Sequence, residues 1–155
     1  MLDFTLAADV QAMKFEICST RKDMEAAYAL AVGAAVELGT PTPIKLIYEK
    51  RFTDQEMTVG KLGRIVVAMA IWHLDGDVIR HTYAVVHPSY RRKRICRMMR
   101  VWSSAHWKSL GAITHESMVP VDIAWRQAEL EGFGSVFVED KLNGNTQFRV
   151  YRRTL

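Results

Sequence analysis

The sequence is short of several things, and each shortage removes a class of protein. Its 155 residues include only two cysteines, Cys18 and Cys96, too few for a disulfide framework and suited to a reducing compartment. Nine glycines and four prolines form neither a linker nor a low-complexity tract, and no internal repeat is present. No apolar run approaches the roughly 18 uncharged residues of a membrane span. The first residues, MLDFTLAADVQAMKFE, carry acids and no early basic run, unlike a secretory signal. His73, His81, His87, His106 and His115 have no metal-ligand spacing among themselves or with the cysteines, so no metal centre is expected.

What remains is ordinary globular material, 49% hydrophobic and 25% charged, enough for one proper core. We expect a single domain over residues 1–155, with 1–12 as an N-terminal arm. The net charge is +4, and it is unevenly spread. Residues 1–88 hold 9 bases and 11 acids, whereas 89–155 hold 12 bases and 6 acids. Six of those twelve bases fall within ten residues that contain no acid: Arg91, Arg92, Lys93, Arg94, Arg97 and Arg100. A positive field so concentrated points to an anionic partner, such as a phosphate-bearing cofactor, nucleic acid or an acidic protein surface. Exposed aromatics interleaved with the bases are not evident, which disfavours nucleic acid.

Periodicity supplies the elements. Met13–Cys18 alternates as a strand. Ser19 or Thr20 can cap a helix that carries Met24, Tyr28, Ala31 and Ala35 at helical spacing and stops at Gly39. Ile44–Phe52 suits a strand or a short helix, and Thr53–Lys61 reads as a loop. Arg64–Leu74 is a buried strand, Asp75-Gly76-Asp77 a hairpin turn, and Val78–His87 the returning strand. From Arg91 to about Leu110, Ile95, Met98, Met99, Trp102 and Ala105/His106 form the apolar face of a helix. Ala112–Val119 reads as a strand, and Asp122 can cap a helix running through Glu131. A closing hairpin turns at Asn143-Gly144-Asn145. Trp72, Trp102, Trp107 and Trp125 read as core anchors, and Cys96 as a core residue. This order suits a mixed sheet with helices on its faces.

The segment Val85-Val-His-Pro-Ser-Tyr-Arg-Arg-Lys-Arg-Ile-Cys96 joins a strand to a helix N-terminus, where unpaired N–H groups and the helix dipole favour an anion. With Val86, Pro88, Tyr90, Arg91 and Lys93, it resembles the acetyl-CoA signature of the GCN5-related N-acetyltransferases, the GNAT fold. That signature reads roughly V-x-P-x-Y-[RQ]-x-x-G-x-[GA]. The element order from Met13 onward and the spacing Ala124…Gly132-Phe133 are also similar. The chain has Arg94 at the signature's glycine and Cys96 at its Gly/Ala. On the next helix it has Ala128 where many members carry a tyrosine acid, and Val121 where an asparagine is frequent.

The resemblance implies an α+β fold, a central, mostly antiparallel twisted sheet with helices on both faces. It implies an N-acyltransferase using acetyl-CoA as co-substrate on an amine. Val85 and Val86 would line the pantetheine arm through their backbone. Arg91, Arg92, Lys93, Arg94, Ile95 and Cys96 would surround the pyrophosphate. His81 and Tyr83 on one strand and Glu116 on the next are the candidate bases. The stretch Gly132-Phe-Gly-Ser-Val-Phe-Val-Glu-Asp…Gln147-Phe-Arg-Val also looks like acetyltransferase-like proteins of tailed-phage virions. That implies an alternative, a non-enzymatic protein docking through its basic helix or a sheet edge. The partners are therefore acetyl-CoA with an amine, or a protein, with no membrane and with homo-oligomerisation open. The location is the cytoplasm, or a virion for a phage protein.

Overall fold

A computed structural model describes residues 12–155, the side chains of His81 and Thr82 excepted. The expected N-terminal arm lies outside the described residues, Ala12 apart. The elements are β1 (Lys14–Ile17), α1 (Arg21–Leu38), α2 (Lys45–Thr53), β2 (Met57–Leu62), β3 (Ile65–Asp75), β4 (Val78–Val86), α3 (Ile95–Ser109), β5 (Thr114–Pro120), α4 (Ala124–Gly132), β6 (Val136–Asn143) and β7 (Thr146–Thr154). The seven strands are ordered β1-β2-β3-β4-β5-β7-β6. β4 and β5 pair in parallel, while β1 with β2, β2 with β3, β5 with β7 and β6 with β7 pair antiparallel.

The chain divides into two compact units: residues up to Trp72 with Tyr83–Ala105, and His73–Thr82 with His106–Leu155. In the first, β3 is buried from Val66 to Trp72 because both its faces are covered. Met69 and Ile71 pack with Met24, Ala27 and Ala31 of α1 and Tyr48 of α2, while Ala68 and Ala70 pack with Ile95 and Met99 of α3. α1 starts where the Thr20 hydroxyl accepts the Asp23 N–H at 3.2 Å and ends at Gly39, whose φ of 66° closes the helix.

Several expectations are corrected. Thr53–Lys61 is not a loop, because Met57–Leu62 forms β2. Its polar residues, buried Thr58 and half-buried Lys61, have partners distant in sequence. Thr58 Oγ1 accepts from Trp72 Nε1 at 3.1 Å, and Lys61 Nζ donates to Asp23 at 2.8 Å. Ile44–Phe52 resolves as helix α2. The buried stripe of α3 is Ile95, Met99, Ser103 and Trp107, with Arg100 also buried and Ala105 exposed. Ile123, not Asp122, caps α4, without a side-chain bond.

In the second unit, the parallel pairing sets Val78–His81 against Thr114–Ser117. Leu130 of α4 packs with Val119 and Tyr151, and Ile123 joins them. Trp107 stacks on buried His115 with ring centroids 4.8 Å apart. Trp125 is 65% exposed rather than a core anchor, with the Arg126 guanidinium 5.3 Å above its ring. A tryptophan one residue into a short amphipathic helix points wherever the helix phase puts it, and here the buried phase belongs to Leu130.

Gly60 tests the packing of β2. A Cβ there would lie 2.9 Å from Phe15 Cε1 and 3.2 Å from Ala68 Cβ. Gly60→Ala is expected to destabilise by about 1–3 kcal/mol through overpacking, lowering Tm by several degrees in a thermal melt. An unchanged Tm would mean that β1 and β3 yield freely around it.

Candidate functional site

The end of β4 and the loop into α3 build the site. Strand alternation sends Val85, with half-buried Tyr83, into the α1–α2 cluster, and Ala84 and Val86 toward Ile95 and Met99. The His87 N–H donates to the Val67 carbonyl at 2.8 Å, fixing the strand end on β3. Pro88–Tyr90 then makes one 3₁₀ turn, which His87 caps by accepting the Ser89 N–H on Nδ1 at 3.1 Å. Lys93 folds back over this turn: its Nζ lies 5.2 Å above the Tyr90 ring and donates to the Ser89 carbonyl at 3.3 Å.

The helix begins later than its apolar periodicity predicts. α3 starts at Ile95, and the Arg94 carbonyl accepts the Met98 N–H at 3.0 Å. Four of the six clustered cations therefore sit on the loop before the helix. Arg92 and Arg94 take φ of 61° and 60°, the left-handed region that costs a non-glycine residue about 1–2 kcal/mol. Arg94 stands at the signature's glycine, so the backbone there has the form that glycine adopts freely. Both side chains are exposed. The first turn of α3 contains no acid, leaving the positive end of the dipole unopposed.

Arg91 is engaged differently. Its Nε donates to the Val86 carbonyl at 3.1 Å, and its two terminal nitrogens grip Glu37 at 2.5 and 2.9 Å. That bond holds the Glu37 carboxyl below its usual range and raises Arg91. Glu37 was not singled out from the sequence. The signal available was an acid in the last turn of α1 with no base beside it, against the helix dipole. Among the other cofactor candidates, Ile95 and Val85 are core side chains and Cys96 is half-buried rather than core. These three can offer backbone groups alone or, for Cys96, a partly covered thiol.

The three candidate bases lie on two strands, His81 and Tyr83 on β4 and Glu116 on β5. Tyr83 lies in the first unit. His81 sits on β4 opposite Ser117, and its side chain lies outside the described residues. Glu116, 3% exposed, accepts from Arg80 Nη1 on one oxygen and from Arg152 Nε at 2.7 Å on the other. Arg80 in turn bonds Asp75 at 3.2 Å. Both Glu116 oxygens are thus committed to guanidinium groups, which makes it an ion-pair anchor. Burial pushes the Cys18 thiol up to about 11, so it is protonated and inert at neutral pH. Among the described residues no three His, Cys, Asp or Glu side chains could hold a metal ion, and no helix is long and apolar enough to cross a membrane.

No family model matches the sequence, and no curated protein matches it. The fold, by contrast, is shared with many solved structures. Ard1 from Thermoplasma volcanium matches 93% of this chain and 98% of its own, with a TM-score of 0.79 at 13% identity. The ribosomal-protein-S18-alanine N-acetyltransferase from Escherichia coli covers 92% and 93%, at TM-score 0.77 and 14% identity. The PaiA N-acetyltransferase from Thermoplasma acidophilum, solved in complex with coenzyme A, covers 93% and 99%, at TM-score 0.74 and 11% identity. The chain therefore has the GNAT fold, an α+β fold on a mostly antiparallel central sheet.

Two substitutions check this geometry. Arg94→Gly removes a left-handed arginine and is expected to raise stability by about 1 kcal/mol, seen as a Tm a few degrees higher. A fall in Tm would mean that the side chain holds the loop. Glu116→Gln removes the carboxylate shared by two guanidinium groups, leaving Arg80 with Asp75. The expected loss is about 2 kcal/mol, moderated because both arginines are half-exposed, and urea unfolding measures it.

Proposed function

We propose that the chain is an acetyl-CoA-dependent N-acyltransferase acting on an amine. The observation that carries the reading is Arg94, which holds the glycine-like φ of 60°. At the position of the signature's glycine, Arg94 thus takes a backbone form that glycine adopts freely. The residues fit an anionic co-substrate. Arg92 and Arg94 expose guanidinium groups on a strained loop, Lys93 is held beside them, and the acid-free start of α3 follows. A neighbour of the same fold is solved with coenzyme A, which supports the same ligand here.

Acetyl-CoA supplies an activated acyl group as a thioester. The chain's residues bind and orient it: Arg92, Lys93 and Arg94 at the pyrophosphate, backbone groups of Val85 and Val86 along the pantetheine arm, and N–H groups at Ile95 and Cys96 from the helix start. Of the candidate bases, His81 and Tyr83 on β4 take the role of accepting the amine proton. Glu116 is assigned to holding Arg80 and Arg152. The two free cysteines fit a reducing, cytoplasmic setting.

One observation favours a second reading, the non-enzymatic docking protein, including a phage virion component. β6 is an edge strand whose eight residues are all exposed, with Val136, Phe137, Val138 and Leu142 among them. Such an edge can pair with another chain.

Calorimetric titration with acetyl-CoA separates the two. The enzyme reading expects saturable one-to-one binding that Arg92→Glu with Arg94→Glu weakens at least about tenfold, with a reduced salt dependence. It also expects acetylated product by mass spectrometry with an amine acceptor. No binding at millimolar acetyl-CoA would overturn it and leave the docking protein.

A further inference from the structure

We infer that Glu37 sets the affinity of the loop by occupying, as an internal carboxylate, the guanidinium fork that a phosphate of CoA would take on Arg91. The inference rests on the acyltransferase reading and adds to it a built-in competitor. A carboxylate and a phosphate engage arginine in the same way, through two parallel N–H···O bonds from the planar fork. Arg91 has five N–H donors. One is spent on the Val86 carbonyl at 3.1 Å, and the two terminal nitrogens face Glu37 at 2.5 and 2.9 Å. Arg91 thus stays tethered to the strand end through Nε while its fork is filled from α1.

Glu37 is poorly placed for its own helix. It lies in the last turn of α1, where the dipole disfavours an anion, and that turn carries no base. Gly39 fixes the end of the helix, with its N–H and that of Thr40 bonded to Val36 and Ala35 carbonyls. The carboxylate therefore reaches toward the loop from a fixed base. The pair is also accessible to a competitor: the side chains of Arg91 and Glu37 are 39% and 48% exposed. An exposed pair of this kind exchanges partners readily, since water and ions solvate both members.

Calorimetric titration of CoA into the wild type, Glu37→Gln and Glu37→Asp tests the inference, with a thermal melt to confirm that each variant folds. Both variants are expected to bind CoA about fivefold more tightly, the upper range for losing a surface pair. The aspartate keeps the charge but is one methylene too short for the two-pronged grip, so it separates competition from simple charge removal. In an Arg91→Lys background the gain from Glu37→Gln should shrink to about twofold or less. Tightening in Glu37→Gln alone, or in neither variant while the wild type binds CoA, would overturn the competitor and leave the acyltransferase reading standing. Absence of CoA binding in the wild type and both variants would overturn both.

Discussion

Burial of β3 on both faces is the constraint from which the site follows. One buried face already fixes a strand's register, and β3, enclosed from Val66 to Trp72, carries a helix on each of two. Its two faces differ in size. Small Ala68 and Ala70 admit the start of α3 closely, while Met69 and Ile71 fill the wider space under α1. With both helices referenced to one strand, the segment joining β4 to α3 has its two ends fixed. The bond from the His87 N–H to the Val67 carbonyl pins one end, and burial of Ile95 pins the other. Eight residues must close that distance, and the left-handed turns at Arg92 and Arg94 are how they do so.

Electrostatics then works against the same loop. Six cations without an intervening acid repel one another, and two of them carry backbone strain as well. Part of the repulsion is relieved locally, through Lys93 on Tyr90 and Arg91 on Glu37. Arg92 and Arg94 are exposed to solvent, which screens them. Repulsion together with strain is a cost to folding that an anionic ligand would relieve, since it interacts with the loop only when the loop is formed.

Local signals were legible in the sequence and long-range ones were not. The Thr20 cap, the Gly39 stop and the Asp75-Gly76-Asp77 turn depend on neighbours a few residues away. The β-branched run of β3 announces its own burial. β2 was hidden because Thr58 and Lys61 look solvated until their partners are known, and Trp72 and Asp23 lie 14 and 38 residues away. The start of α3 was hidden for another reason. Arginine is a good helix former, so helix propensity does not mark Arg92 and Arg94 as left-handed, and only the motif's glycine position hints at it for Arg94. The loop closure decides it. Of the site, the basic cluster and its place between strand and helix were visible, whereas the engagement of Arg91 by Glu37 and of Glu116 by two arginines required the fold.

Those two carboxylates show how burial assigns different roles to one chemistry. Each accepts guanidinium donors on both oxygens. Glu116 is 3% exposed, and removing both of its partners would strand a charge in a region of low dielectric. An anion that took both arginines from Glu116 would leave a buried carboxylate unpaired behind them. Glu37 is half-exposed, so a released carboxylate is solvated at once and its loss from Arg91 is nearly balanced by water. The buried pair therefore organises β4, β5 and β7, whereas the exposed pair can be parted by water and ions.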